Sequence, residues 1–524
     1  MSKSFIFCFI AFASLTLNAK ILFVSPAGSD NTASAQYKTV TYASTLTSPG
    51  DTVWVKAGLY GSENVVFSKS GIVGKPISFI GYKVTPGDKV PINTLKTDPY
   101  ADILSENMPT YDGGNRAKGI GFNIENQEYI TLKNFQIKNY AIGMMCGAPG
   151  RAKGNLNVNN VEVMNCGDVN SSYSGLGITL GSMSTKFSNS NIFTNCLVVN
   201  AAAEGISING DSNTFTNCKV YCNDVTTSYA STDYYIIVCG NFNNLSNCTA
   251  DRLQGLSHAG HGIGAKSNAE QVIDKGLSNI YPAINPQYNK FTNCEAHNMG
   301  ESFYVRHRGS RFNTFKNCTA TGTHTGLAGS PGGEGVGMVS RDGASDNTFT
   351  GCAAKNCASG IEFEDTVEDG DTGINPPGHP GNNNLFTNCL IYNCYIGVNY
   401  SDYSIVSDAG YNTISNCTFY KTRYINFCTA ARPSTQMHYT NNIYYGCLPN
   451  MTGGYLFASK YGPTINARAF KNCCFFNIQG GLAEPKELLT YGGGNIEADP
   501  LFVDPDNMDF HLKPESPCNQ VGMR

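Results

Sequence analysis

The sequence predicts an all-β protein, a right-handed parallel β-helix with an N-terminal capping helix, and two observations carry that expectation. The first is a recurring hexad. It reads Asn, any residue, an apolar residue, Thr, Ser, Lys or Asn, then Asn or Gly, then Cys, and it occurs eight times, starting at Asn191, Asn213, Asn243, Asn289, Asn313, Asn347, Asn384 and Asn412. Successive copies lie 22, 30, 46, 24, 34, 37 and 28 residues apart, so a unit of 22 to 24 residues carries extra loops of variable length. The second is that each unit holds short alternating apolar runs broken by Gly, Asn and Asp, as in "GISINGDSNTFTNCKVYCN". Alternation at period two reads as strand, and the breaks read as turns. Short strands at such a period describe coils that stack about 4.8 Å apart. Leucine-rich repeats would need leucine at fixed offsets, and ankyrin or tetratricopeptide repeats would need helical periodicity.

The elements follow in chain order. Residues 1–19, "MSKSFIFCFIAFASLTLNA", place Lys3 before an apolar run from Phe5 to Leu17 and read as a secretory signal peptide, too short to span a bilayer. The remainder, 20–524, is expected to be a single domain. Residues 20–85 supply an N-terminal cap and the first coils, with a short amphipathic helix over Val40 to Leu46 that would cover the open sheet edge. Residues 127–447 form the repeat coils, and 448–524 supply C-terminal strands and a cap. The chain has 20 cysteines. Stacking places Cys196, Cys218, Cys248, Cys294, Cys318, Cys352, Cys389 and Cys417 in one inward ladder, whose spacing exceeds the roughly 3.8 Å Cβ separation that a disulfide prefers. These thiols are therefore expected to be reduced packing. The preceding Asn195, Asn217, Asn247, Asn293, Asn317, Asn388 and Asn416 are expected to form an amide ladder at a turn.

The formal net charge is −4 and charged residues make up 15% of the chain, so there is no general basic face for nucleic acid and any cationic cluster is local. No later segment is apolar enough to cross a membrane, and a monomer is expected, secreted or periplasmic. Cationic residues do gather in one region. In "HGIGAKSNA" Ile263 and Ala265 point inward and Lys266 outward; in "ESFYVRHRG" Phe303 and Val305 point inward, with Tyr304 and Arg306 outward. Lys266 and Arg306 then lie on adjacent coils if the excess residues, roughly Asn268 to Tyr288, form an inserted loop. His258 and His261 precede the lysine, His307 and Arg308 follow the arginine, and His324 and Arg341 come from the next coil. Such a strip suits an acidic sugar chain, with His258, His261, Tyr304, His307, Arg308 and Arg341 as candidate substrate contacts.

These residue types match β-elimination of a uronate-containing polysaccharide. The reaction needs a cation for the charge that builds on the carboxylate, a base for the C5 proton and a proton for the leaving oxygen. A lysine acts as a base only when neutral, a form that neighbouring guanidinium groups favour. "AKSN" on one coil and "VRHRG" on the next resemble the Lys-Ser and Arg-His-Gly pair of the chondroitinase B and alginate lyase family, polysaccharide lyase family six. The resemblance implies Lys266 as the base and Arg306 as acid or charge stabiliser. Members that use calcium carry acidic ligands shortly before the lysine, where this chain has "SHAGHGIGAK"; no cofactor or metal is therefore assigned, and calcium is disfavoured. The N-terminal region resembles the pectate-type β-helix lyases of family nine, without an aspartate cluster for their calcium. Two other readings stay open. A β-helix glycoside hydrolase would use "GIEFED", with Glu362, Glu364 and Asp365 as paired carboxylates, and a non-catalytic carbohydrate-binding or adhesive β-helix would use none of these residues.

Overall fold

The computed structural model describes residues 19–521 apart from 32, 34, 93–105, 150–151, 171–174, 183–185, 225–231, 254–259, 268–283, 323–334, 366–380, 403–410, 429–436, 448–456, 460–469 and 479–492. The expected signal peptide lies outside them. Two long sheets wind into a parallel β-helix, one of 28 strands and one of 15. A typical coil gives one strand to the smaller sheet and two short ones to the larger: Glu204–Ile208, Thr214–Thr216 and Lys219–Cys222, after which Tyr234–Val238 opens the next coil. Each strand pairs in parallel with its counterpart one coil on, as Phe215 does with Phe193 and Leu245.

The hexad builds the first short strand and the turn after it. Its apolar residue points inward, so Phe291, Phe315, Phe349 and Phe386 stack face to face at 4.2, 4.5 and 4.6 Å, all fully buried. Burying a phenylalanine contributes about 1.5–3 kcal/mol, and the parallel register repeats the gain on every coil. The fifth position turns the chain through the left-handed region, with φ between 52° and 55° at Asn195, Asn217, Asn247, Asn293, Asn317, Asn388 and Asn416 and 64° at Gly351. That region tolerates Asn and Gly and penalises other side chains, which is why the position holds no third residue type.

The continuous amide ladder, however, belongs to the first hexad asparagine. Asn191, Asn213, Asn243, Asn289, Asn313, Asn347, Asn384 and Asn412 are fully buried. In each link both the backbone N and the Nδ2 of one residue donate to the Oδ1 of the next, as from Asn289 to Asn313 at 3.1 and 2.9 Å. At the fifth position side-chain contacts are longer, such as Asn217 Nδ2 to Asn195 Oδ1 at 3.3 Å. The thiols do line the interior. The 18 cysteines whose side chains are described are all buried and free, and the ladder thiols donate to backbone carbonyls, Cys218 Sγ to Phe193 O at 3.6 Å for example.

The helix near the N-terminus spans Val40–Thr45, with Thr39 Oγ1 accepting from Tyr42 N at its start. At six residues it is too short to form an evident cap over the first coil. It lies along the strand Val65–Val66, where Thr41 Oγ1 accepts from Val66 N and Ser44 Oγ donates to Val66 O, so hydroxyl groups occupy part of that open edge. At the other end an antiparallel pair, Phe502–Asp504 and Asp509–Leu512, sets Phe502 and Phe510 against Tyr420 on the outer face of the large sheet. Among the described residues no helix is long and apolar enough to cross a membrane.

Candidate active site

Lys266 and Arg306 stand opposite each other on the paired strands His261–Lys266 and Glu301–Arg306 of the smaller sheet. The same outward row continues to Arg341 and then Glu364. Ile263, Ala265, Phe303 and Val305 fill the core between these positions, fully buried, so alternation alone turns Lys266 and Arg306 out. The insertion after the lysine does not disturb the register. Its bulk, 268–283, lies outside the described residues, and its ends are fastened by Ser267 Oγ donating to Ile284 O at 2.7 Å.

The two cations meet on a residue that no motif indicated. Tyr234, from the preceding coil, accepts from Lys266 Nζ at 2.8 Å and from Arg306 Nη1 at 3.2 Å. Its ring lies on that of His261, centroids 4.4 Å apart and 10° from parallel, and Lys266 Nζ is 4.5 Å from the Tyr234 ring centre. Burial pushes the phenol above its ordinary pKa, and Lys266 and Arg306 partly offset this. Tyr234 keeps its proton at neutral pH. The strand register could have found it, since "DYYIIV" places Tyr234 level with His261 and Glu301.

Behind the row lies a compact network of ion pairs. Arg306 Nε reaches Asp342 Oδ2 at 2.8 Å, and Arg341 Nε reaches the same oxygen at 3.1 Å. Arg341 also pairs with Glu301 and with Glu364, the latter at 3.3 Å. His261 lies between Asp233 at 3.4 Å and Glu301 at 3.7 Å. The side chains of Arg306 and Asp342 are only 7% and 5% exposed, so the guanidinium is fixed by its partners before any substrate arrives. Sequence reasoning did not include Asp233, Glu301 or Asp342.

Other expected contacts fall elsewhere. Tyr304 is fully buried, its hydroxyl 3.4 Å from Ile236 O, and it is a packing residue under the site. His307, at φ 69° and 2% exposure, turns toward Asp342 at 4.0 Å. Arg308 is exposed on the following turn, its stem passing over Gly343. His258 and His324 lie outside the described residues.

Two carboxyls are displaced in opposite directions. Burial pushes Glu301 up, but His261, Arg341 and Arg306 together hold it below the ordinary carboxylate value. Glu364 goes the other way, to about 8, chiefly through burial; Arg341 lowers it, and Glu301, Glu362 and Asp342 raise it. A raised carboxyl binds its proton in the folded state and releases it on unfolding, so its contribution to stability is lost as pH rises from about 4.5 to about 8. Glu364→Gln is therefore expected to flatten the fall in melting temperature between pH 5 and 8.5. Identical slopes in thermal scans of the two proteins would show that Glu364 does not carry it.

Among the described residues no group of three His, Cys, Asp or Glu side chains is placed to hold a metal ion. Calcium takes six to eight oxygen ligands. Around Lys266, Asp233, Glu301, Asp342 and Glu364 are each engaged by a histidine or an arginine, so this donor set does not fit calcium.

No protein-family model and no curated protein sequence matches the chain. Solved structures do. The PL6 family polysaccharide lyase from Pseudopedobacter saltans is 12% identical, with a TM-score of 0.46, over 91% of this chain and 95% of that one. A mannuronic acid specific family 6 lyase from human gut microbiota is 10% identical, with a TM-score of 0.37, over 93% of each chain. The pectate lyase Pel9A is 13% identical, with a TM-score of 0.33, over 95% and 90%.

Proposed function

We propose that the protein cleaves an acidic, uronate-containing polysaccharide by β-elimination, acting outside the cytoplasm as a secreted or periplasmic monomer. The observation that supports this most directly is the convergence of Lys266 Nζ and Arg306 Nη1 on one phenol oxygen. Arg306 and Arg341 supply the positive field that receives a uronate carboxylate and spreads the charge of the enolate-like intermediate. Lys266, in its neutral form, takes the C5 proton; the C4–O4 bond breaks, a C4=C5 double bond forms, and the leaving oxygen takes a proton. Tyr234 holds a proton beside Lys266 and is the group we assign to that last step, with Arg306 serving charge rather than acid chemistry. His261, stacked beneath Tyr234 and held between two carboxylates, fixes the ring.

The test is far-ultraviolet absorbance during incubation with alginate, chondroitin and dermatan sulfates, pectin and rhamnogalacturonan, with and without chelator. Rising absorbance from the new double bond, undiminished by chelator, is expected. No absorbance with any polyuronate would remove the proposal. A second reading has one observation in its favour: a carboxyl still protonated near neutral pH, as at Glu364, is what a glycosidase acid requires. New reducing ends without absorbance, lost in Glu364→Gln, would establish that hydrolytic reading in place of elimination.

A further inference from the structure

Three aromatic rings stack on the outside of the coils that carry the candidate site. Phe242 follows the Tyr234 strand, Tyr288 follows the insertion after Lys266, and Phe312 follows Arg306; each immediately precedes a ladder asparagine. Phe242 and Tyr288 lie 5.3 Å apart and 5° from parallel, and Tyr288 and Phe312 lie 5.1 Å apart and 11° from parallel. The three are 56%, 47% and 38% exposed. All adopt left-handed backbone, with φ of 57°, 57° and 58°.

That combination is costly. Bulky residues are outliers in the left-handed region, and half-exposed rings recover little by burial. The flanking coils use Ser190, Ser212, Asp346 and Asn383 at the equivalent place, with the same φ and none of the aromatic surface. The stacked run of rings thus covers the coils of Tyr234, Lys266 and Arg306, and the next aromatic at this place, Tyr411 before Asn412, lies three coils beyond Phe312. Strain retained at exposed positions beside a site points to function.

The stack is asymmetric. At the Phe312 end, the Arg311 guanidinium lies 5.0 Å from the ring centre and is tied to Asp346 at 2.8 Å. At the other end the next residue in line is Ser212, too small to cover a phenyl face, and Phe242 is the most exposed of the three. We infer that this stack is a carbohydrate platform: the C–H face of a pyranose in the same polyuronate chain rests on Phe242 and along the ring edges, outside the catalytic row. The inference rests on the lyase reading for its ligand and concerns holding the polymer, not cleaving it.

The variant Phe242→Asn/Tyr288→Asn/Phe312→Asn tests it, because asparagine suits the left-handed backbone and the melting temperature should hold or rise. Two readouts are needed: retardation of the protein in native gels containing alginate or polygalacturonate, and steady-state kinetics on the same polymers and on their short oligosaccharides. The expected result is weaker retardation and a KM for polymer raised about tenfold, with kcat and oligosaccharide turnover unchanged. Phe242→Asn alone should shift both in the same direction by less. Unchanged retardation and KM would overturn the platform while leaving the lyase reading intact. Retardation lost in the variant, with no absorbance from the wild-type protein, would support the platform and remove the lyase.

Discussion

Lys266→Ala is expected to lower the rate of unsaturated-product formation by about 10²–10⁴-fold, the range for removing a positioned general base, while retardation by the same polymer changes little. The geometry makes this a local substitution. Lys266 is half-buried, and its side chain donates to Tyr234, which keeps its contact with Arg306 when the lysine is removed. The carboxyls of Asp342, Glu301 and Glu364 keep their partners in Arg306, Arg341 and His261, while Tyr234 loses the ammonium over its ring and Glu204, whose pKa burial raises, loses the opposing Lys266 charge. Lys266→Arg should not restore the rate, since a guanidinium does not deprotonate in water. Tyr234→Phe separates the roles further. It leaves both cations in place but removes the proton offered to the leaving oxygen, so its loss should be largest on substrates with a poor leaving group. An active Lys266→Ala enzyme would overturn the assignment of the base.

Much of this arrangement was legible because a parallel β-helix converts sequence alternation directly into facing. Ile263, Ala265, Phe303 and Val305 mark the inward phase, and the paired register of Lys266 and Arg306 follows from it. What escaped was of two kinds. Buried polar residues look like turn residues in a sequence: the Asn191 series has the composition of a loop, yet it forms a fully buried ladder, because each amide finds its partner only in the next coil. The other kind comprises Tyr234, Glu301 and Asp342, which come from coils or turns beside the recognisable motifs and enter the site only through stacking. One unused signal was present. Strands of the smaller sheet repeat a glycine before the first inward residue, as in "EGISI", "HGIGA", "VGMVS" and "IGVNY". At Gly205 an added Cβ would lie 2.3 Å from Val220 Cγ1, so a side chain there would displace that valine, whereas the coils of Tyr234 and Glu301 carry Tyr235 and Ser302 at the same place. In the Tyr234 coil it is the inward pair Ile236 and Val238, matched to Ile263 and Ala265, that sets Tyr234 level with His261.

The same hexad, "NTFKNC", contains two asparagines whose replacement should have unequal consequences. Asn313 is fully buried; its Oδ1 accepts from Asn289 N and Nδ2 at 3.1 and 2.9 Å, and its Nδ2 donates to Pro286 O and Asn347 Oδ1, each at 3.0 Å. Asn313→Ala leaves the Asn289 backbone N–H and the Pro286 carbonyl unmatched, at about 1–3 kcal/mol for each stranded group, while Asn289 Nδ2 keeps Gly240 O and Asn347 Oδ1 keeps the backbone N–H of position 313. Neighbouring coils cannot close the gap, because the spacing is set by backbone pairing on both sides. Asn317, four residues on, is exposed and is chosen for its backbone: at φ 54° it occupies the place that Gly351 takes in the next hexad. Asn317→Gly should therefore change stability by less than about 1 kcal/mol, whereas Asn317→Val, which places a β-branched side chain in the left-handed region, should cost more. Because a solenoid loses structure by neighbouring repeats rather than all at once, hydrogen exchange is the measurement of choice. In Asn313→Ala the amides of Asn289, Phe291, Phe315 and Phe349 should lose protection first, with the N-terminal coils unaffected. Equal protection in Asn313→Ala and Asn317→Gly would mean that the buried amide ladder contributes nothing beyond its turn, and that stacking of the phenylalanine row alone holds the coils in register.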